Sequence, residues 1–185
     1  MTNAIPQGYH SITPHLVVNN GVDAIEFYKR AFGAVEEYRY NDPDNKTIIY
    51  VKLRIGDSPI LLSEEFPNKK GKGCRSPKTI GGSSVTIHIF TEDVDKLFNQ
   101  AISAGATTIF PITDMFWGDR YGQLVDPYGH FWSIATHKED LSDDEIRKIV
   151  EGVGSLEIKT QSLISAANYN GGLDNISAIL ADLRR

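Results

Sequence analysis

Hydrophobic and polar positions alternate in two short stretches, Ile12 to Val18 and Ser84 to Phe90, and a run with helical spacing follows each. Alternation with period two marks a strand, whereas apolar residues three and four apart mark one face of a helix. Ala24, Phe27, Tyr28, Ala31 and Phe32 share a face of the helix predicted over Asp23–Phe32, which Gly33 terminates. Val94, Leu97, Phe98, Ala101 and Ile102 do the same over Val94–Ala104, with Gly105 at the end. Three strand-like runs follow each helix: Ala34–Tyr40, Thr47–Ile55 and Pro59–Glu64, then Thr107–Ile112, Tyr121–Val125 and Phe131–Thr136. The chain thus contains βαβββ twice, and this repeat is the strongest structural inference that the pattern alone carries.

Two segments break the periodicity. Residues 1–10 have no period and are expected to form an extended lead-in. Phe66 to Ser83, rich in Gly, Lys, Pro and Ser, reads as a mobile linker between the modules. Near the end of the second module, Asp126-Pro127-Tyr128-Gly129 has the composition of a turn, because Pro presets φ and Gly tolerates positive φ. Just upstream, Phe116, Trp117, Asp119 and Arg120 set two aromatics beside a carboxylate and a guanidinium, a mixture suited to the rim of a small-molecule pocket.

Composition narrows the function. Of the 185 residues, 41% are hydrophobic and 23% charged, as in an ordinary globular protein, and the net charge is −5. That balance argues against nucleic acid or an anionic membrane surface as the main partner. Lys69-Lys70-Gly71-Lys72 is too short and glycine-broken to change this. No apolar run approaches a membrane span and Met1 to Tyr9 lacks an apolar signal core, so a cytoplasmic location is expected. The single cysteine, Cys74, leaves no intrachain disulfide or cysteine-based metal cage.

The residues Trp-Gly-Asp-Arg-x-Gly from Trp117, then Asp-Pro-x-Gly-His-x-Trp-Ser-x-Ala-Thr-His from Asp126, carry a resemblance. They look like the end of a domain of the vicinal-oxygen-chelate superfamily, which includes glyoxalase I, bleomycin-resistance proteins and extradiol dioxygenases, and most of all its PhnB-like branch. The resemblance spans about Ile12 to His137. It implies an α+β fold in which two βαβββ modules (12–65 and 84–137, joined by the linker 66–83) make an open eight-stranded barrel. Helices lie outside, a ligand cavity inside, and two chains pair as a homodimer. Residues 1–139 would form this domain and 140–185 a mainly helical appendage. The appendage resembles the end of PP2C-type phosphatases through Leu141-Ser142-Asp143-Asp144-Glu145-Ile146 and Asn170-Gly171-Gly172-Leu173-Asp174-Asn175-Ile176-Ser177. Asp174 matches a metal-binding aspartate of that family. Its companion carboxylates are absent, so no phosphatase activity is expected.

The repeat also points to a site. One offset of 73 residues pairs Thr13 with Thr86, His15 with His88, Ile60 with Ser133 and Glu64 with His137. Alternation places Thr13, His15 and Val17 on one face and Thr86, His88 and Phe90 on the matching face, with Leu16, Val18, Ile87 and Ile89 turned to the helices. The polar faces must then line the cavity. By the resemblance, metal-using relatives take ligands from the first and last strand of each module. Those positions here hold Thr13, Ile60, Thr86 and Ser133, poor ligands for zinc, nickel or ferrous iron. The leading expectation is therefore a small organic ligand bound without cofactor by Thr13, His15, Ile60, Leu62, Thr86, His88, Phe90, Trp117, Arg120 and Ser133. One alternative is a metal-dependent lyase or dioxygenase holding one divalent ion with His15, His88 and Glu64. A second is an interaction protein that acts through its tail.

Overall fold

The computed structural model describes residues 4–43, 47–66, 73–115 and 117–140. The expectations for the appendage, for Phe116 and for the Lys69–Lys72 cluster lie outside these residues. The element order is β1 (His15–Val18), α1 (Gly21–Phe32), β2 (Val35–Asn41), β3 (Ile48–Ile55), β4 (Ser58–Glu64), a short α2 (Pro77–Ile80), β5 (Thr86–Phe90), α3 (Val94–Ala104), β6 (Thr107–Asp114), β7 (Asp119–Val125) and β8 (Phe131–His137). Both βαβββ modules are present. Each folds into its own four-stranded sheet, ordered β1-β4-β3-β2 and β5-β8-β7-β6, with the first strand parallel to the last and the other pairings antiparallel. No ladder joins β1 to β5, so the described strands make two curved sheets set side by side rather than a closed barrel.

Local chemistry explains the elements. The Asn20 side chain caps α1 by accepting from the Asp23 N–H, and Asp93 caps α3 through the Lys96 N–H. Both helices end on a glycine in the left-handed region, Gly33 and Gly105, as the sequence predicts. Ala24, Ile25, Phe27, Tyr28, Ala31 and Phe32 of α1 are buried, together with Val94, Phe98 and Ala101 of α3, while Leu97 and Ile102 are partly covered. The two helices pack together across the module boundary, where Gln100 Nε2 donates to the Arg30 and Ala31 carbonyls at the end of α1. Gly122 on β7 permits the close approach of α3, since a Cβ there would lie 2.8 Å from the Phe98 ring.

The linker is more structured than its composition suggests. Residues 73–83 include α2, capped by the fully buried Ser76, and the Glu65 carboxylate accepts from the Ser76 N–H and the Thr79 hydroxyl. An acidic side chain at the end of the first module thus anchors a stretch that carries no apolar period of its own.

The modules are locked together at one carboxylate. Asp126, only 4% exposed, accepts from the Tyr28 hydroxyl of α1 (2.7 Å) and from Trp132 Nε1 of β8 (2.9 Å) through Oδ2. Its Oδ1 accepts from the Tyr128 and His130 N–H groups and shapes the β7–β8 turn. Asp126-Pro127-Tyr128-Gly129 is the turn expected, closed by Gly129 N–H to the Asp126 carbonyl.

The single offset of 73 residues does not hold throughout. It relates β1 to β5 and the helix starts Gly21 and Val94, but the terminal glycines Gly33 and Gly105 and the last strands are related by 72. Glu64 Oε1 receives the Gly21 N–H at the start of α1, and Thr136 Oγ1 receives the Val94 N–H at the start of α3. Likewise Leu62 and Ile134 are both fully buried beneath the helices. A slip of one residue exchanges the two faces of a strand, and this has direct consequences for the site.

Candidate functional site

On each sheet one face meets the helices and the other is concave and open. In the second module the concave face carries His88 and Phe90 of β5, Ser133 and His137 of β8, and Asp119, Tyr121 and Gln123 of β7. His88 stands opposite Ser133, and its Nδ1 is hydrogen-bonded to the Ser133 hydroxyl at 2.7 Å. The imidazole meets the Phe90 ring edge-on at 4.4 Å and lies nearly parallel to Tyr121 at 6.1 Å. Trp117 closes on Tyr121 at 5.7 Å and donates its indole N–H to buried Asp119, whose other oxygen pairs with His137 Nδ1. Gln123 Nε2 donates to the Tyr121 hydroxyl. The first module holds a counterpart, His15 Nε2 with the buried Ser63 hydroxyl at 3.2 Å.

Beside His88, along the seam between the sheets, lies a cavity of about 720 Å³. Its walls include Pro14, Ile60 and the β3–β4 turn on one side and Ile87–Thr91 on the other, with Phe32 and Trp132 at its base. The lining is mostly apolar, with His88, His10, Asp57, Ser58 and Thr91 as its polar groups, which is the composition of an organic-ligand site. His15 and His88 are exposed as whole residues, and partial loss of hydration at the rings holds both below the ordinary imidazole value of 6.5, with the Asp119 carboxylate pulling His88 the other way. Both rings are therefore neutral near pH 7, able to donate at one nitrogen and accept at the other.

These shifts have a testable consequence. An unfolded chain protonates its histidines near pH 6.5, and the folded chain only at lower pH, so the unfolded state binds more protons in that interval. The stabilising contribution is complete above the unfolded value and is lost as pH falls through the folded one. Melting temperatures should therefore drop as pH falls below about 6.5. The double variant His15→Asn/His88→Asn should show a shallower decline over the same range, and an unchanged slope would show that these imidazoles are not responsible.

Of the residues expected from sequence, His88, Phe90, Trp117 and Ser133 come together as described. Thr86 lies on the same face, opposite Phe131, and His15 lies on the concave face of the first module. Thr13 is half-buried, and the cavity is lined by its neighbours Ile12 and Pro14 instead. Ile60 lines the cavity wall, whereas Leu62, Glu64 and Arg120 lie elsewhere. Leu62 is fully buried against the helices. Glu64 faces the N-terminus of α1. Arg120 lies on the helix side of β7, where its guanidinium makes a two-pronged pair with Asp95 of α3 and a third bond to Asp114. The one-residue change in the repeat moves Leu62 and Glu64; the parity of β7 moves Arg120. Residues that the sequence reading passed over are Ser63, Tyr121 and Gln123. Their signal was available in strand parity once the offset on the last strand was corrected.

The donor set does not suit a divalent ion. Glu64 is turned away from His15 and His88, each imidazole is engaged by a serine, and among the described residues no three His, Cys, Asp or Glu side chains cluster to hold a metal. The proposed set His15, His88 and Glu64 is thus not brought together. Among the described residues no helix is long and apolar enough to cross a membrane.

Two βαβββ modules, each with a four-stranded sheet ordered 1-4-3-2, define the fold class. The chain belongs to the glyoxalase/bleomycin resistance protein/dioxygenase superfamily, whose family model matches residues 8–134. An uncharacterised protein of Mycobacterium tuberculosis is 40% identical over 144 residues, covering 78% of this chain and 84% of that one. The X-ray structure of an Arabidopsis thaliana gene product superposes with a TM-score of 0.54 at 26% identity, covering 69% of this chain and 98% of that one. A PhnB protein of Bacillus cereus shares the fold (TM-score 0.53, 16% identity, 69% of this chain and 99% of that one).

Proposed function

We propose that this protein binds a small, partly planar organic molecule in the seam cavity against His88, without a metal ion. The observation that carries this reading is the His88 imidazole, oriented by Ser133 and flanked by Phe90 and Tyr121, at the wall of a mostly apolar cavity of about 720 Å³. A ligand there gains burial of its apolar surface and one oriented hydrogen bond, and Trp117 covers the outer edge of the cluster. The test is a fluorescence titration with a panel of planar heteroaromatic compounds and bleomycin, run on protein purified without chelator and analysed for metals. Saturable quenching that is reduced in Trp117→Phe, with no stoichiometric metal, supports the reading. Zinc, nickel, manganese or iron at one per chain would replace it with the metal-dependent alternative.

The same reading includes a homodimer in which modules of two chains close each cavity. Its support is the openness of the concave faces: Tyr38, Tyr40 and Phe90 are each more than half exposed, and the outer strands β2 and β6 each have an unpaired edge. Such edges and aromatic surfaces are usually covered. Sedimentation equilibrium at micromolar concentration should give twice the 20.5 kDa chain mass; a monomer would remove the proposal.

A further inference from the structure

We propose that the concave face of the first module is a second ligand site, for a small neutral phenol, and that Tyr9 of the chain's own amino-terminal arm occupies it as a displaceable surrogate. The site is built from two neighbouring rows of the sheet. Strand register aligns His15, Leu61, Lys52 and Tyr38 in one row, and Val17 and Ser63 belong to the next, which Tyr50 and Tyr40 continue. Lys52 is an unusual lysine, its side chain only 12% exposed and ion-paired to Glu37 at 2.9 Å. What covers it is the Tyr9 ring, whose centroid lies 4.1 Å from Lys52 Nζ. The Tyr9 hydroxyl meets the Tyr50 hydroxyl at 2.9 Å, and the Tyr38 ring packs 6.3 Å from that of Tyr50.

The arm shows by its own exposure that Tyr9 is the group the face selects. Of residues 4–12, Tyr9 alone is withdrawn from solvent, and its N–H makes only a local turn to the Pro6 carbonyl. A segment held at one side chain is a ligand on a tether. The contacts define its class: an electron-rich ring for the ammonium and a hydroxyl for the Tyr50 phenol. Glu37 pairs with both Lys52 and Arg54, at 2.9 and 2.8 Å, so the ammonium that meets the ring face is held in place by an ion pair. Burial, with Tyr9 adding to it, pushes the Tyr50 phenol up to about 12, so it stays protonated and can donate. This site is in the other module; because His10 and Ile12 of the same arm line the His88 cavity, the Lys52 variant is what tells the two sites apart.

The probe is p-cresol, the tyrosine side chain without its backbone, titrated into the full-length wild type and the Tyr9→Ala variant and followed by saturation-transfer NMR. Binding to Tyr9→Ala should be saturable and about tenfold tighter than to wild type, as expected if Tyr9 fills the site about nine-tenths of the time. It should be lost in Tyr9→Ala/Lys52→Met and weakened when toluene replaces p-cresol. Equal affinity for wild type and Tyr9→Ala overturns the proposal, as does persistence of binding without Lys52, or no binding to a natively folded Tyr9→Ala protein. A Tyr9→Ala chain that fails to reach the native circular-dichroism spectrum would make the arm a structural strut and overturn it equally.

Discussion

Replacing Asp126 with Ala is expected to lower the unfolding free energy by about 3–5 kcal/mol, a loss in the range seen when a buried polar network is broken. The carboxylate satisfies four donors at once: the Tyr28 hydroxyl, the Trp132 indole and the Tyr128 and His130 N–H groups. Its removal leaves the first two stranded among Phe27, Phe32 and Tyr128, where the Tyr28 and Trp132 rings lie 5.7 Å apart and no water replaces the acceptor cheaply. Tyr28→Phe removes one donor and keeps the ring, so about 0.5–1.5 kcal/mol should be lost, the ordinary net worth of one hydrogen bond. Urea unfolding with an unchanged m-value measures both. A loss below about 1 kcal/mol in Asp126→Ala would show that the modules are held by helix packing and the Gln100 and His130 bonds without this carboxylate. The bond from Tyr28 to Asp126 spans 98 residues, so this variant should also loosen the seam on which the cavity depends.

His88→Ala should weaken the compound selected in the fluorescence screen by about 1–3 kcal/mol, the cost of stranding a buried polar partner. In dissociation constant this is roughly 5- to 150-fold. Three losses combine: the hydrogen bond to the ligand, the partner of the buried Ser133 hydroxyl, and the ring that spaces Phe90 from Tyr121. Ser133→Ala should cost less, because it frees the imidazole without removing it. Metal content should be the same in both proteins and in wild type. An unchanged affinity in His88→Ala would move the site away from β5. Stoichiometric metal present in wild type and absent from His88→Ala would instead make His88 a ligand.

Much of this molecule was legible in its residues. Apolar spacing located both helices to within two residues, because amphipathic periodicity and terminal glycines are local physics. The duplicated βαβββ order was legible for the same reason, and with it the concave placement of His15, His88 and Phe90. The motif around Asp126 to His137 carried the superfamily, which the family model confirms over residues 8–134. What the sequence could not decide was which face of the last strands looks inward. Gly56 and Gly129 both take positive φ and invite alignment, but β3 and β4 join through a two-residue turn and β7 and β8 through the longer turn of Asp126–His130. With the last strands related by 72 residues rather than 73, and α3 one residue shorter than α1, Leu62 and Glu64 lie beneath the helices and Ser63 reaches His15. Arg120 found Asp95 on a helix 25 residues away, and Tyr28 found Asp126, because long-range partners depend on how the sheets curve, not on spacing along the chain. The sequence by itself determined the modules, their order and the imidazoles they carry; only the tertiary structure decided strand register, the lock at Asp126 and the arm laid on Lys52, since each depends on groups that meet only after the chain has folded.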